Sequence, residues 1–162
     1  MKRLGWILIA VCGLCVIGLA RGPEALHFPI HRFSISPLEG PTHGATSVLL
    51  TMMLPASGGF APNVNVVAQS TAGTIDNYIA ATKREIEQNG FKLVQEDKVD
   101  DHTGVFEYTG TLQNRPLHWY TRASLKGREV LLVTATATEQ QWPSSSAQLR
   151  DCVDSFQRDE GQ

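Results

Sequence analysis

Glu107, His118, Tyr120 and Arg122 are the residues whose types and spacing come nearest to chemistry. A carboxylate, an imidazole, a phenol and a guanidinium on one surface can hold a polar ligand or move protons. His118, Tyr120 and Arg122 stand two residues apart, which in a strand puts all three on one face. Pairing Leu112 with Leu117 across Gln113-Asn114-Arg115-Pro116 sets Glu107, Thr109 and Thr111 against Arg122, Tyr120 and His118, and pairing Val99 with Gly104 adds Glu96 beside Glu107. The plainer expectation for the same set is a solvated sheet face with a cross-strand ion pair of Glu107 and Arg122, worth roughly 0 to 1 kcal/mol.

Nothing else in the chain competes strongly with that set. HExxH, GxxxxGK[ST], GxSxG and a paired CxxC are absent, so neither a catalytic residue, a cofactor nor a resident metal is expected. Asp100-Asp101-His102, with Glu107 nearby in sequence, offers hard oxygen ligands and an imidazole at a hairpin tip. Aspartates also favour turns because they bond their own backbone, and that is the expected use here. His27, His31 and His43 lie in a lead-in, at a strand start and in a loop, and read as surface histidines. Cys152 falls in an apolar helical stripe, where a free cysteine acts as a small hydrophobe rather than a nucleophile.

The 162 residues, 42% of them hydrophobic, suffice for one domain with a real core. The basic start Met1-Lys2-Arg3 and the uncharged run Leu4 to Ala20 read as export machinery: a signal peptide cut after Ala20, or an N-terminal membrane anchor. Cys12 and Cys15 follow the bulky Val11 and Leu14, a poor setting for lipidation. Either version places the domain outside the cytoplasmic membrane, since the basic end stays inside. Of the 14 basic residues, losing Lys2 and Arg3 leaves 12 against 16 acidic, a net −4, which argues against nucleic acid or anionic membrane as partner. Only Cys152 then remains, so the core and not a disulfide must hold the domain.

The elements that would position these groups follow from period and punctuation. Residues 21 to 30 carry Pro23 and Pro29 without a period and read as a tether; alternation from Ile30 to Ser36 predicts a short strand. Ser47 to Leu54, nearly continuous and apolar, reads as a buried strand, and Ser57-Gly58-Gly59 as the turn into a strand from Pro62. Thr74 caps a helix whose inward stripe is Ile75, Tyr78, Ile79, Thr82 and Ile86, closed by Gly90. Four strands follow, 91 to 99, 104 to 112, 117 to 125 and 129 to 138. Glu139 to Pro143 reads as a loop, and Ser145 with Gln148 as a capping box before the stripe Leu149, Cys152, Val153 and Phe156. The organisation expected is a leader over 1–20, the tether, a domain over 31–157 and a polar tail over 158–162.

Phe60-Ala61-Pro62-Asn63-Val64-Asn65-Val66 before a helix, Leu131-Leu132-Val133-Thr134-Ala135-Thr136-Ala137 in the last strand and Ser155-Phe156 at the end of the last helix carry a resemblance over about Phe33 to Phe156. The chain resembles the fold shared by the photosystem extrinsic protein PsbP, the Ran-binding Mog protein and related exported bacterial domains. That resemblance implies an α+β fold, an antiparallel sheet sandwiched between helices, and a role in binding or assembly. It carries over the fold and not the partner, because an exported domain does not meet cytosolic Ran. The functional expectation is therefore a non-catalytic domain binding a protein or envelope component. Small-ligand or metal binding through Glu107, His118, Tyr120 and Arg122 is the alternative, and a hydrolase using the same groups comes third.

Overall fold

Alternating side chains joined by tight turns build most of this molecule, a computed structural model that describes residues 26–28, 33–35 and 47–158. The chain divides into two units, Met1–Pro41 and Thr42–Gln162. In the first, β1 (Leu26–Phe28) pairs antiparallel with β2 (Phe33–Ile35), Leu26 opposite Ile35. β1 falls within the stretch read as a tether. The apolar leader, His31 and His43 lie outside the described residues.

In the second unit six strands form one antiparallel sheet in the order β3-β4-β8-β7-β6-β5. These are β3 (Ser47–Met53), β4 (Asn63–Ser70), β5 (Lys92–Lys98), β6 (Thr103–Leu112), β7 (Arg115–Lys126) and β8 (Glu129–Thr138), with α1 (Ile75–Gln88) between β4 and β5 and α2 (Trp142–Asp154) closing the order. The mixed α+β class expected from the sequence holds.

Two turns set the registers, and both differ from the sequence reading. Gln113 and Asn114 sit at φ 52° and 60°, the left-handed pair of a two-residue type I′ hairpin. Leu112 therefore faces Arg115, and Glu107 faces Tyr120 rather than Arg122. A slip of two residues preserves which face each side chain occupies. Between β5 and β6 the slip is a single residue: Lys98 faces Gly104, and an irregularity follows between Leu93 and Gln95. Gln95 thus lies opposite Glu107, and Glu96 turns to the other face, where it meets Lys83 of α1 at 3.4 Å.

β3 corrects a burial expectation. Its residues are apolar but not interior: it is the first strand of the sheet order, and Val48, Leu49, Leu50, Met52 and Met53 are all exposed. A continuous apolar run marks a buried strand only when both faces are covered.

The helices carry separate cores. Thr74 caps α1 as expected, accepting from Asn77 N–H at 3.3 Å while Asn77 Oδ1 accepts from Thr74 N–H at 3.1 Å, and Gly90 takes the left-handed position past the end at φ 72°. Ile75 and Ile79 pack with Phe106, Ala123, Leu125 and Val130. α2 starts three residues before the Ser145 cap read from sequence, because Pro143 fits the first turn, where no N–H is needed. Ser144 and Ser145 instead donate their hydroxyls to the Gln141 carbonyl, both at 2.9 Å. Trp142, Leu149 and Val153 of α2 pack with Val64, Val105, Tyr120, Val133, Ala135 and Ala137. Cys152 packs against this cluster half-buried, as an apolar side chain would.

Candidate functional site

Glu107 of β6 and His118 of β7 lie under α2, and both are buried. Alternation along β7 sends His118, Tyr120 and Arg122 to the α2 face, as the spacing requires. His118 Nε2 is 2.7 Å from Glu107 Oε1, and its Nδ1 is 2.8 Å from Glu139 Oε1 in the segment leading into α2. Arg150 of α2 donates to the same Glu107 oxygen. The Trp142 ring stacks on the imidazole with centroids 4.0 Å apart and planes 11° from parallel.

A second group continues the first along β7. Tyr120 donates its hydroxyl to Asp154 Oδ1 at 3.0 Å, and Arg122 Nη1 reaches the same oxygen at 3.9 Å. The Arg150 guanidinium lies over the Tyr120 ring, 4.4 Å from its centroid, and joins the two groups. All four sequence candidates therefore share a face, but in two coupled sets: Glu107 with His118, and Tyr120 with Arg122. The expected pair of Glu107 with Arg122 does not form, because the true register places Arg122 opposite Val105. The face is also not solvated as expected, since α2 covers it.

Electrostatics follow from this packing. Burial works against the Glu107 carboxylate, yet hydrogen bonds from Arg150 and His118 outweigh it and hold its carboxyl below the ordinary range. Burial, then Asp154, pushes the Tyr120 phenol up. His118 thus bridges two carboxylates, one at each ring nitrogen. Glu107 is bonded by Arg150 and His118 at once, and the arrangement clamps α2 onto β6 and β7. Arg122 borders an open cleft, 610 Å³ in volume, with Asp100, His102 and Arg158.

The structure adds Glu139, Trp142, Arg150 and Asp154 to the sequence set. Arg150 follows Leu149 of the inward stripe, so its side chain flanks the buried face of α2; that position was its only signal. Trp142 and Glu139 read as loop residues in the sequence.

The solved structures set this chain beside known folds. A Pseudomonas aeruginosa protein of unknown function, PA94, named as a candidate regulator, matches with a TM-score of 0.62 at 18% identity, over 85% of this chain and 98% of that one. The two share the fold. LpqN, involved in cell envelope biogenesis of Mycobacterium tuberculosis, matches at 0.43 and 9% identity over 72% of this chain and 84% of its own. The cyanobacterial PsbP of Synechocystis sp. PCC 6803 matches at 0.42 and 13% over 89% and 96%. Likeness at these levels extends to neither partner nor role. No family model matches the chain, and neither does any curated protein.

At the β5–β6 turn Asp100 Oδ1 accepts from the His102 N–H at 2.7 Å and Asp101 pairs with Lys98 at 3.0 Å. The aspartates are used by the turn itself. Among the described residues no group of three or more His, Cys, Asp or Glu is placed to hold a metal ion, and no helix is long and apolar enough to cross a membrane.

Proposed function

We propose that this chain is an exported, non-catalytic binding or assembly domain that acts outside the cytoplasmic membrane, with residues 1–20 as its signal or anchor and its sheet held between helices in the PsbP-like manner. The observation that carries the reading is the state of Glu107 and His118. Both are buried and bonded to each other, to Arg150 and to Glu139, so the groups best suited to acid–base work are occupied in holding α2. What a partner meets instead is surface, and the apolar side chains of β3 from Val48 to Met53 form the most conspicuous part of it.

Ligand binding through Glu107, His118, Tyr120 and Arg122 has less support, because Glu107 and His118 are buried and bonded beneath α2 while Arg122 borders a cleft apart from them. The test combines fractionation with site-specific photo-crosslinking in cells, using a probe at Leu50 of β3 and a control at Lys92 of β5. The expected result is recovery outside the cytoplasm with a discrete adduct at Leu50 and none at Lys92. Recovery in the cytosol, or a substrate whose turnover is lost in Glu107→Gln while the fold is retained, overturns the proposal.

A further inference from the structure

The face opposite the charged network holds a cleft of 220 Å³ between α1 and the sheet, which neither the clamp nor the partner surface uses. Its walls are long and largely apolar: Tyr78 and Ile86 of α1, Phe91, Phe106, Tyr108 and Leu132. Its floor is short. Thr121 and Thr134 lie there with their hydroxyls 3.1 Å apart, within hydrogen-bond distance of each other. The space is held open from one side by Phe91, whose ring lies across Gly110 so closely that a Cβ there would sit 2.2 Å from Cδ1. That ring is fixed by Trp119 and Tyr108, with centroids 5.1 and 6.3 Å away.

We propose that this cleft binds a small planar aromatic molecule that carries a phenolic hydroxyl or another neutral oxygen acceptor and no carboxylate. Size, polarity and charge each contribute to that assignment. An apolar cavity of about 150 Å³ takes a benzene ring, so 220 Å³ accommodates one ring with a substituent. Aromatic walls accept a flat ring by offset stacking. The Tyr78 hydroxyl donates to Gln69 Oε1 at 3.2 Å, and among the described residues no partner takes the Gln69 amide N–H groups, which leaves donors at the cleft for a ligand oxygen. The sole ionic side chain in the lining is Glu85, with no lysine or arginine to offset it, so an anionic ligand is disfavoured.

The test uses the full chain with p-cresol and p-hydroxybenzoate as probes, measured by calorimetry and by amide chemical-shift mapping. The expected result is saturable p-cresol binding with shifts centred on Tyr78, Phe91 and Thr121, and p-hydroxybenzoate weaker by at least about tenfold, or about 1.4 kcal/mol. Glu85→Gln narrows that gap, and Thr82→Phe, which plugs the cleft from a half-buried position on α1, weakens p-cresol by at least about tenfold. Equal binding of the two probes, shifts that map elsewhere, or an undiminished affinity in folded Thr82→Phe overturns the proposal. If Thr82→Phe does not fold, the wild-type map and the Glu85→Gln ratio decide.

Discussion

β6 and β7 present opposite chemistries on their two faces, although one pair of strands builds both. Toward α2 they turn Glu107, His118, Tyr120 and Arg122, and α2 answers with Arg150 and Asp154, so every charge finds a partner. Toward α1 they turn Phe106, Tyr108, Trp119 and Thr121, and the space is only partly filled. The lesson is that charge forces closure while aromatic surface tolerates a gap. An unpaired buried charge costs several kcal/mol, whereas a small void forfeits only dispersion contacts.

The largest effect tests the closed face. Glu107→Gln leaves Arg150 and His118 without their shared carboxylate, and removing one partner of a buried pair costs about 3 kcal/mol, the low end of the range because Arg150 is one third exposed. Urea unfolding measures it. The pH dependence follows from the same contact. The Glu107 carboxyl is held below its ordinary 4.5, so its contribution is present above that value and is lost as pH falls through the depressed one. The stability gap between wild type and Glu107→Gln should be widest near neutrality and shrink in acid. A gap independent of pH would show that the charge is not what closes this face.

The aromatic face should respond to volume rather than charge. Gly110→Ala pushes a methyl to within 2.2 Å of the Phe91 ring, and overpacking of this kind costs about 2 kcal/mol. Gly104→Ala meets Ile79 Cγ1 at 3.0 Å and Cδ1 at 3.1 Å, a looser approach than the one at Gly110, and should cost less. Thermal melts of the two variants, with near-ultraviolet circular dichroism to follow the Phe91, Tyr108 and Trp119 cluster, check the order. If Gly104→Ala proves the more damaging, Phe91 is not the wall that the cleft requires.

Much of this was legible in the sequence. Period-two alternation sorts both faces of β6 and β7 even with a turn taken two residues too long, since a shift of two residues leaves parity intact. The same tolerance failed for Glu96, where a one-residue error moved it across the sheet to Lys83. The Thr74 cap and Gly90 stop were readable because each satisfies a local backbone need. The α2 start was not, because Pro143 inside a first turn and Pro143 in a loop look alike in sequence. The exposure of β3 and the grip of Arg150 on Glu107 were out of reach for a different reason: both depend on which elements end up adjacent across more than forty residues.

The smallest effects compare single hydroxyls on the two faces. Tyr120→Phe loses a bond to the Asp154 carboxylate and should cost about 1 kcal/mol, while Tyr78→Phe loses one to the neutral Gln69 amide and should cost about 0.5 kcal/mol. Titration of the three tyrosines separates them further. Burial, with Glu85 adding to it against the opposing Thr82 hydrogen bond, raises Tyr78 from 10.0 to about 12, and burial also raises Tyr108 and Tyr120. A raised phenol is neutral in the fold, so its contribution is complete below pH 10 and is lost as pH climbs through the folded value. Phenolate absorbance should therefore lag behind that of free tyrosine. In Tyr78→Phe the latest-rising component should vanish while the other two stay in place. If instead a third of the signal appears at pH 10 in the folded wild type, and Tyr78→Phe removes it, the hydroxyl of Tyr78 faces water, and the cleft beneath α1 is open solvent rather than a site.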